Sequence, residues 1–349
     1  MAVSHVYAGA GMWRGGNLSG AFRMTVGDDK WEQLTDGLPQ PASVHCVTIH
    51  PRDPATIFVG TQDGPYVSHD HGAHFQRPEF PDRNVQIWSV LVHPANPRII
   101  LAGAAPVAIY RSEDGGAHWQ LLSRPVLPER VKMPFACRVM RLAIDANAPR
   151  DVFATIEVGG AMRSRDGGET WTDCTDGLVK LAETPRLKSN LVSGSDFEGM
   201  LDGHAVCVTP ADPGAVFLAC RMGIFRSGDG GDHWQDVDVG RFSALTYARD
   251  VRPAPQDPRT LYACLSVHAT GDTGSLAVSH DVGQTWRRFD HGLDTKATLM
   301  NLALHPSDPA QVYGAGRNGQ IIGTQDGGKS WRDYRLPAGC EDVYAVACG

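Results

Sequence analysis

One eight-residue pattern, S/T-x-D-x-G-x-x-W/F, recurs six times in the 349 residues, at Ser68–Phe75, Ser112–Trp119, Ser164–Trp171, Ser227–Trp234, Ser279–Trp286 and Thr324–Trp331. A repeat constrains architecture before any single residue is interpreted, because one supersecondary unit must bury its apolar face on the next. It also divides the chain in two. What recurs reads as scaffold, and what occurs once is where function is sought.

Each copy sits in a unit of four short β-rich runs separated by Pro, Asp or Gly. In the earliest complete unit the runs are Val44–His50, Thr56–Gly60, Pro65–Ser68 and His74–Arg77. Four such runs are the signature of a propeller blade. Further units span 85–122, 137–174, 204–237, 243–290 and 298–334. A seventh is split between the chain ends. Val6–Gly9, Ala21–Thr25 and Trp31–Leu34, around a degraded pattern at Asp28, match its second to fourth strands, and Val343–Cys348 matches its first. The expected fold is therefore all-β: one domain over residues 1–349, a seven-bladed β-propeller whose ring is closed by the C-terminal strand joining the N-terminal blade. Closure removes exposed sheet edges.

The repeated pattern resembles the Asp-box, or bacterial neuraminidase repeat, of the sialidase-like propeller superfamily. The resemblance implies a turn between third and fourth strands, on the face opposite the family's active site. There Asp and Ser/Thr bond turn backbone, Gly permits the tight conformation and the aromatic packs between blades. The resemblance to true sialidases stops at the boxes. That family carries an Arg-Ile-Pro motif, three arginines on the substrate carboxylate and a Tyr–Glu pair; here Phe22, Arg23 and Met24 occupy the motif's region and no Arg-Ile-Pro exists. Sialidase activity is not expected. Xyloglucanase-type glycoside hydrolases also carry the box, but they use two propellers facing one cleft. The repeat grammar further resembles the photosystem II assembly-factor family, single propellers whose members bind protein partners.

A hydrophobic fraction of 42% and a charged fraction of 20% describe a globular chain able to bury a large core. The formal net charge of −7 is too mild to imply nucleic acid or an anionic membrane as partner. No stretch approaches the roughly 18 consecutive apolar residues of a membrane span. The N-terminus lacks the basic segment and apolar run of a signal peptide, and the eight cysteines form no CxxC pair. These features lead to the expectation of a reduced, cytoplasmic protein.

Subtracting the repeat leaves few unusual residues. His50, His93 and His305 precede the proline of a recurring turn, and six other histidines lie in or beside the boxes, so His5, His45, His204, His268 and His291 remain. Aligned on turn prolines, the first strands place His45, Trp88, Met140, His204, Tyr247, Met300 and Tyr344 in one column at the channel mouth. Aligned ends of the second strands give Gly11, Gln62, Ala105, Glu157, Arg221, Ser266 and Arg317. Polar groups above an aromatic mouth resemble a pocket for a small polar ligand. Arg141, Arg249 and Asp250 stand where other first strands carry Val, Leu, Ala or Cys. A buried charge needs a partner, so these form a mutual Arg–Asp pair or hold a ligand anion. Three long insertions, Leu121–Ala136, Thr175–Gly203 and Leu265–Ser275, break the unit on the mouth face and read as lids or binding elements.

Two functions follow. In the first, the mouth binds a small molecule and performs hydrolysis or elimination on a sugar-like or carboxylate-bearing substrate. His45 and His204 then serve as acid/base or ligand groups, Glu157 as carboxylate base and Tyr247 as a further catalytic group. Arg221 and Arg317 clamp an anion, and Gln62, Trp88, Arg141 and Arg249 complete the substrate surroundings. HExxH, P-loop and Gly-x-Ser-x-Gly motifs are missing, and a His general base suits proton transfer or hydrolysis, so no organic cofactor is expected. At most one divalent metal is, with His45, His204 and either Glu157 or His268 as ligands. In the second, the propeller is a non-catalytic scaffold for protein partners.

Overall fold

Short runs of β-branched and aromatic residues punctuated by Gly and Pro pair locally with their sequence neighbours, and that pairing builds the molecule one hairpin at a time. The computed structural model describes residues 3–12 and 16–349. Blade 1 combines Val343–Cys348, His5–Ala10, Gly20–Thr25 and Glu32–Leu34. Blade 2 is Val44–His50, Asp53–Thr61 and Gly64–Ser68. Blade 3 is Gln86–Val92, Ile100–Ala105, Ile109–Ser112 and Gln120–Ser123. Blade 4 is Val139–Asp145, Ala148–Ile156, Gly160–Ser164 and Thr172–Asp173. Blade 5 is Gly203–Val208, Val216–Cys220, Gly223–Ser227 and Gln235–Asp236. Blade 6 is Tyr247–Pro253, Leu261–Ser266, Gly274–Ser279 and Arg287–Arg288, and blade 7 is Leu299–Leu304, Val312–Gly316, Ile321–Thr324 and Arg332–Asp333. The chain ends meet as expected: Val6 pairs with Cys348 and Ala10 with Val343, antiparallel, which closes the ring.

Blade 2 departs from the four-strand expectation. Its outer run is reduced to the single bridge between Val67 and Gln76, which exchange both backbone bonds at 2.9 and 2.8 Å. The next hydrogen-bonded pair outward would join Pro65 to Pro78. Neither has an N–H, so the ladder stops there.

The six repeated turns share one bonding scheme. In blade 3, Ser112 Oγ donates to Asp114 Oδ1 at 2.9 Å, the N–H of Gly116 donates to Ser112 Oγ at 2.8 Å, and the N–H of His118 donates to Asp114 Oδ1 at 3.1 Å. Blade 7 repeats it with Thr324, Asp326, Gly328 and Ser330. Gly116 is required twice over, by its φ of +98° and because a Cβ there would lie 2.7 Å from Phe58 Cε1. These turns join third to fourth strands, on the face opposite the channel mouth.

Among the described residues the buried hydrophobic side chains form no single central core. Seven clusters lie one between each pair of blades. Trp119 packs with Phe58 and Val67 of blade 2, and Trp234 packs with Phe153 and Leu178 of the preceding blade and its loop. The repeat's aromatic residue thus fastens each blade to the one before. All eight cysteines are free thiols. No helix of the described residues is long and apolar enough to cross a membrane.

Candidate functional site

Every inner strand carries one residue that its neighbour strand skips. The register slips between Val44 and Cys46, Ile87 and Ser89, Val139 and Arg141, Gly203 and Ala205, Ala248 and Asp250, and Leu299 and Asn301. In blade 1 it slips at Tyr344, because Gly9 pairs with Ala345 and Ala10 with Val343. A bulged residue leaves the ladder and its side chain is re-aimed. The seven bulged residues, His45, Trp88, Met140, His204, Arg249, Met300 and Tyr344, all line a channel cavity of about 360 Å³. Six of them are the residues aligned in the sequence. In blade 6 the bulge falls on Arg249, two residues beyond Tyr247. That strand ends in a segment with two prolines, Pro253 and Pro255, and only alignment on Pro255 matches the other blades.

His45 and Trp88 are both 4% exposed and stack face to face at 4.0 Å, with the Tyr344 ring edge-on to each. His45 Nδ1 lies 3.3 Å from the Ile87 carbonyl and Nε2 lies 3.2 Å from Ser43 Oγ. A carbonyl only accepts, so Nδ1 carries the proton and Ser43 donates to Nε2. Burial pushes the His45 pKa down to about 3. His204 is arranged alike: Nδ1 donates to the Ala248 carbonyl at 2.7 Å and Nε2 accepts from the Tyr247 hydroxyl at 3.4 Å. Burial first, then the Arg249 charge, lowers its pKa to about 4, against the opposing pull of Asp202. Both imidazoles are therefore neutral at neutral pH.

Around them, the charged groups pair within blades. Arg138 Nε forms an ion pair with Glu157, and its guanidinium stands 4.2 Å from the Trp88 ring centre. Asp202 receives Arg221 at 2.7 Å. Burial pushes the Glu157 pKa up, partly offset by Arg138. Burial also acts to raise Asp202, but His204, Arg221 and Arg249 together hold it well below the ordinary carboxylate range. Deeper, Asp250 is fully buried. It accepts from the N–H groups of Val251 and Leu302, from Asn301 Nδ2 at 2.8 Å and from Arg252 Nε at 3.0 Å, with Arg141 of blade 4 at 3.4 Å across the channel.

The structure therefore gathers His45, Trp88, His204, Tyr247, Glu157, Arg221 and Arg249 around the upper channel, with Arg141 deeper against Asp250. Arg317 joins them by donating to Met300 Sδ at 3.2 Å. Gln62 stands apart: its amide serves the loop beside it, accepting from Ser43 N–H at 2.7 Å and donating to the Pro41 carbonyl at 2.8 Å. His268 is exposed on the blade 6 loop, where Nδ1 accepts from Thr270 N–H at 3.3 Å. Among the described residues no group of three His, Cys, Asp or Glu side chains is placed to hold a metal ion. Sequence reasoning missed Arg138 and Asp202. Both stand two residues before the mouth column, so the strand period of two would have placed them on the same face. Each is also cross-strand partner to a residue the sequence did single out.

No family model and no curated protein matches the chain. Among solved structures it is similar in fold to a GH74 enzyme of Niastella koreensis, at 15% identity and TM-score 0.60, over 86% of this chain and 46% of that one. It is similar to YCF48 from Cyanidioschyzon merolae, at 16% identity and TM-score 0.58, over 89% of each chain. It is likewise similar to YCF48 bound to D1 peptide, at 15% identity and TM-score 0.54, over 85% of this chain and 83% of that one. The chain spans less than half the length of two GH74 enzymes it matches. These likenesses are of fold. Fold and channel define the chain as a seven-bladed β-propeller, a fold capable of binding ligands or partners.

Proposed function

We propose that this propeller is a non-catalytic docking module that takes a partner polypeptide on its mouth face. The observation that carries this is the placement of exposed apolar side chains. Among the described residues, six of the eight large hydrophobics that stand exposed are Met12, Val126, Phe135, Leu191, Val192 and Val267. All six lie in connections that enter first strands or leave second strands, which is the mouth side. Exposed apolar groups rimmed by charge mark protein interaction surfaces. The loops are also built to present them. Glu198, 3% exposed, accepts through one oxygen from the N–H groups of Leu191, Val192 and Ser193 and from Ser193 Oγ at 2.7 Å. That clamp leaves Leu191 and Val192 52% and 65% exposed. The similar fold of YCF48 bound to D1 peptide adds support that a propeller of this shape accepts a peptide. The shared bonding of the six turns supports the further proposal that the chain is an Asp-box propeller.

The test is affinity purification from the native source, mass-spectrometric identification of the partner and reconstitution with purified components. The double variant Leu191→Asp, Val192→Asp should weaken the reconstituted complex about tenfold or more, since each buried aliphatic side chain is worth about 1.5–3 kcal/mol. A complex indifferent to these changes and to Val267→Asp would sink the reading.

A hydrolase or lyase acting at the same mouth is the second reading. It draws on the raised Glu157 pKa and on the separate contact between His204 and the Tyr247 hydroxyl. It needs Glu157 to leave Arg138 and serve as base, so Glu157→Gln should abolish turnover of any substrate found while leaving the fold intact.

A further inference from the structure

Arg249 is a channel cation on which Asp202 and Glu157 act only at a distance, with no carboxylate in direct contact among the described residues. It occupies the ring position where the other six blades place uncharged side chains. Among the described residues it makes no ion pair. One terminal nitrogen donates to the Tyr247 hydroxyl at 3.4 Å, and Nε, shielded from solvent, has no hydrogen-bond partner. The nearby carboxylates are in direct contact with other arginines: Asp202 with Arg221, Glu157 with Arg138, Asp250 with Arg141 and Arg252. A guanidinium withdrawn from water is costly unless a counter-charge reaches it.

The surroundings indicate what kind of anion would. Below Arg249, Arg141 and Arg252 share the single carboxylate of Asp250, so the channel floor also keeps a positive excess within a chain of net charge −7. The walls between are aliphatic, formed by Val47, Val90, Leu142 and Val206. Apolar walls with a few convergent charges favour an organic anion over a strongly hydrated inorganic one. Arg249 lines the cavity and its own chain engages only one terminal nitrogen, with Tyr247, which leaves the second terminal nitrogen to make a charge-assisted bond to a carboxylate oxygen. A cavity of about 360 Å³ holds a small organic acid.

We propose that the channel is a binding site for a small organic carboxylate, with Arg249 as its charge partner and the Arg141–Arg252 pair supplying the field beneath it. The site stands independently of the partner-docking surface, whose loops it does not use.

The experiment is calorimetry and thermal unfolding of the full chain with acetate, glutarate and benzoate at constant ionic strength, with chloride as control. At least one carboxylate should bind saturably and raise the melting temperature. Arg249→Gln, which spares the Asp250 network, should weaken that binding about tenfold or more, the worth of a charge-assisted hydrogen bond. Glutaramide and benzamide, the uncharged isosteres, make the same distinction in the unaltered protein. No saturable response to any of the three acids overturns the proposal. So does an equal response to chloride, equal binding by the amides, or unchanged affinity in Arg249→Gln.

Discussion

His45 and His204 are held neutral by the fold, and that makes the molecule sensitive to acid. Their pKa values of about 3 and about 4 lie below the ordinary 6.5. The unfolded chain thus binds protons that the folded chain refuses. Stability must fall as the pH drops below 6.5, by about 1.4 kcal/mol per pH unit for each ring, until the folded values are reached. Urea denaturation at pH 7, 6 and 5 should show these two rings lowering the midpoint, and His204→Asn should make the fall shallower. An unchanged slope in that variant would mean that His204 titrates normally.

Asp250 makes the fold depend on a buried charge rather than on a buried neutral ring. Its carboxylate, whose pKa Arg141 and Arg252 hold below the usual range against the effect of burial, joins blade 6 to blade 7 and to blade 4 across the channel. Asp250→Ala strands two guanidinium groups and the Asn301 amide, so a loss of about 3–5 kcal/mol is expected in equilibrium unfolding. Arg141→Met, which leaves Asp250 with Arg252 and Asn301, should cost clearly less. Arg141 and Asp250 were legible in the sequence as charges out of place. Their pairing was one of two open alternatives there, because sequence distance says nothing about which blades face each other.

At the scale of elements, the loop between blades 4 and 5 depends on one carboxylate. Burial acts to raise the Glu198 pKa, but the N–H donors of Ser193, Val192 and Leu191 and the Ser193 hydroxyl outweigh it, and the value lies below the ordinary 4.5. A depressed carboxylate contributes order above its unfolded pKa that is lost as the pH falls through the folded value. Hydrogen exchange over residues 189–199 should therefore accelerate as the pH is lowered below about 4.5, after correction for the intrinsic rate. Glu198→Ala should show the same opening at pH 7, with proteolysis near Leu191 rising about tenfold or more. Equal protection in wild type and variant would refute the clamp. The strands were readable from alternation and turn residues, and the repeat located the mouth ring because each bulge falls at the same offset from its turn. Where a second proline, Pro253, offered a rival offset, the alignment slipped to Tyr247. Gln62 was read as a pocket group because its strand-end position matched Glu157 and Arg221; the loop at Pro41 and Ser43, which takes up its amide, has no signature in sequence.

For the whole molecule, the decisive joint is where the two ends of the ring meet. The last strand, Val343–Cys348, is the inner strand of blade 1 and brings Val343, Val346 and Cys348 into the cluster shared with Phe22, Met24 and Tyr313. It also carries Tyr344, one of the seven mouth residues. Removing residues 343–349 would bare the backbone edge of His5–Ala10 and open the cluster between blades 7 and 1. Two or three buried apolar side chains at about 1.5–3 kcal/mol each, with a strand's worth of hydrogen bonds, amount to much of the roughly 5–15 kcal/mol by which a domain is stable. An uncovered edge in a closed ring is also a template for strand exchange between molecules. The truncated chain should therefore run as oligomers or aggregate in size-exclusion chromatography. A synthetic peptide of the deleted sequence, added during refolding, should restore monomer by completing the blade. A monomeric truncation with an unchanged melting temperature would show that the remaining blades hold the ring without that joint.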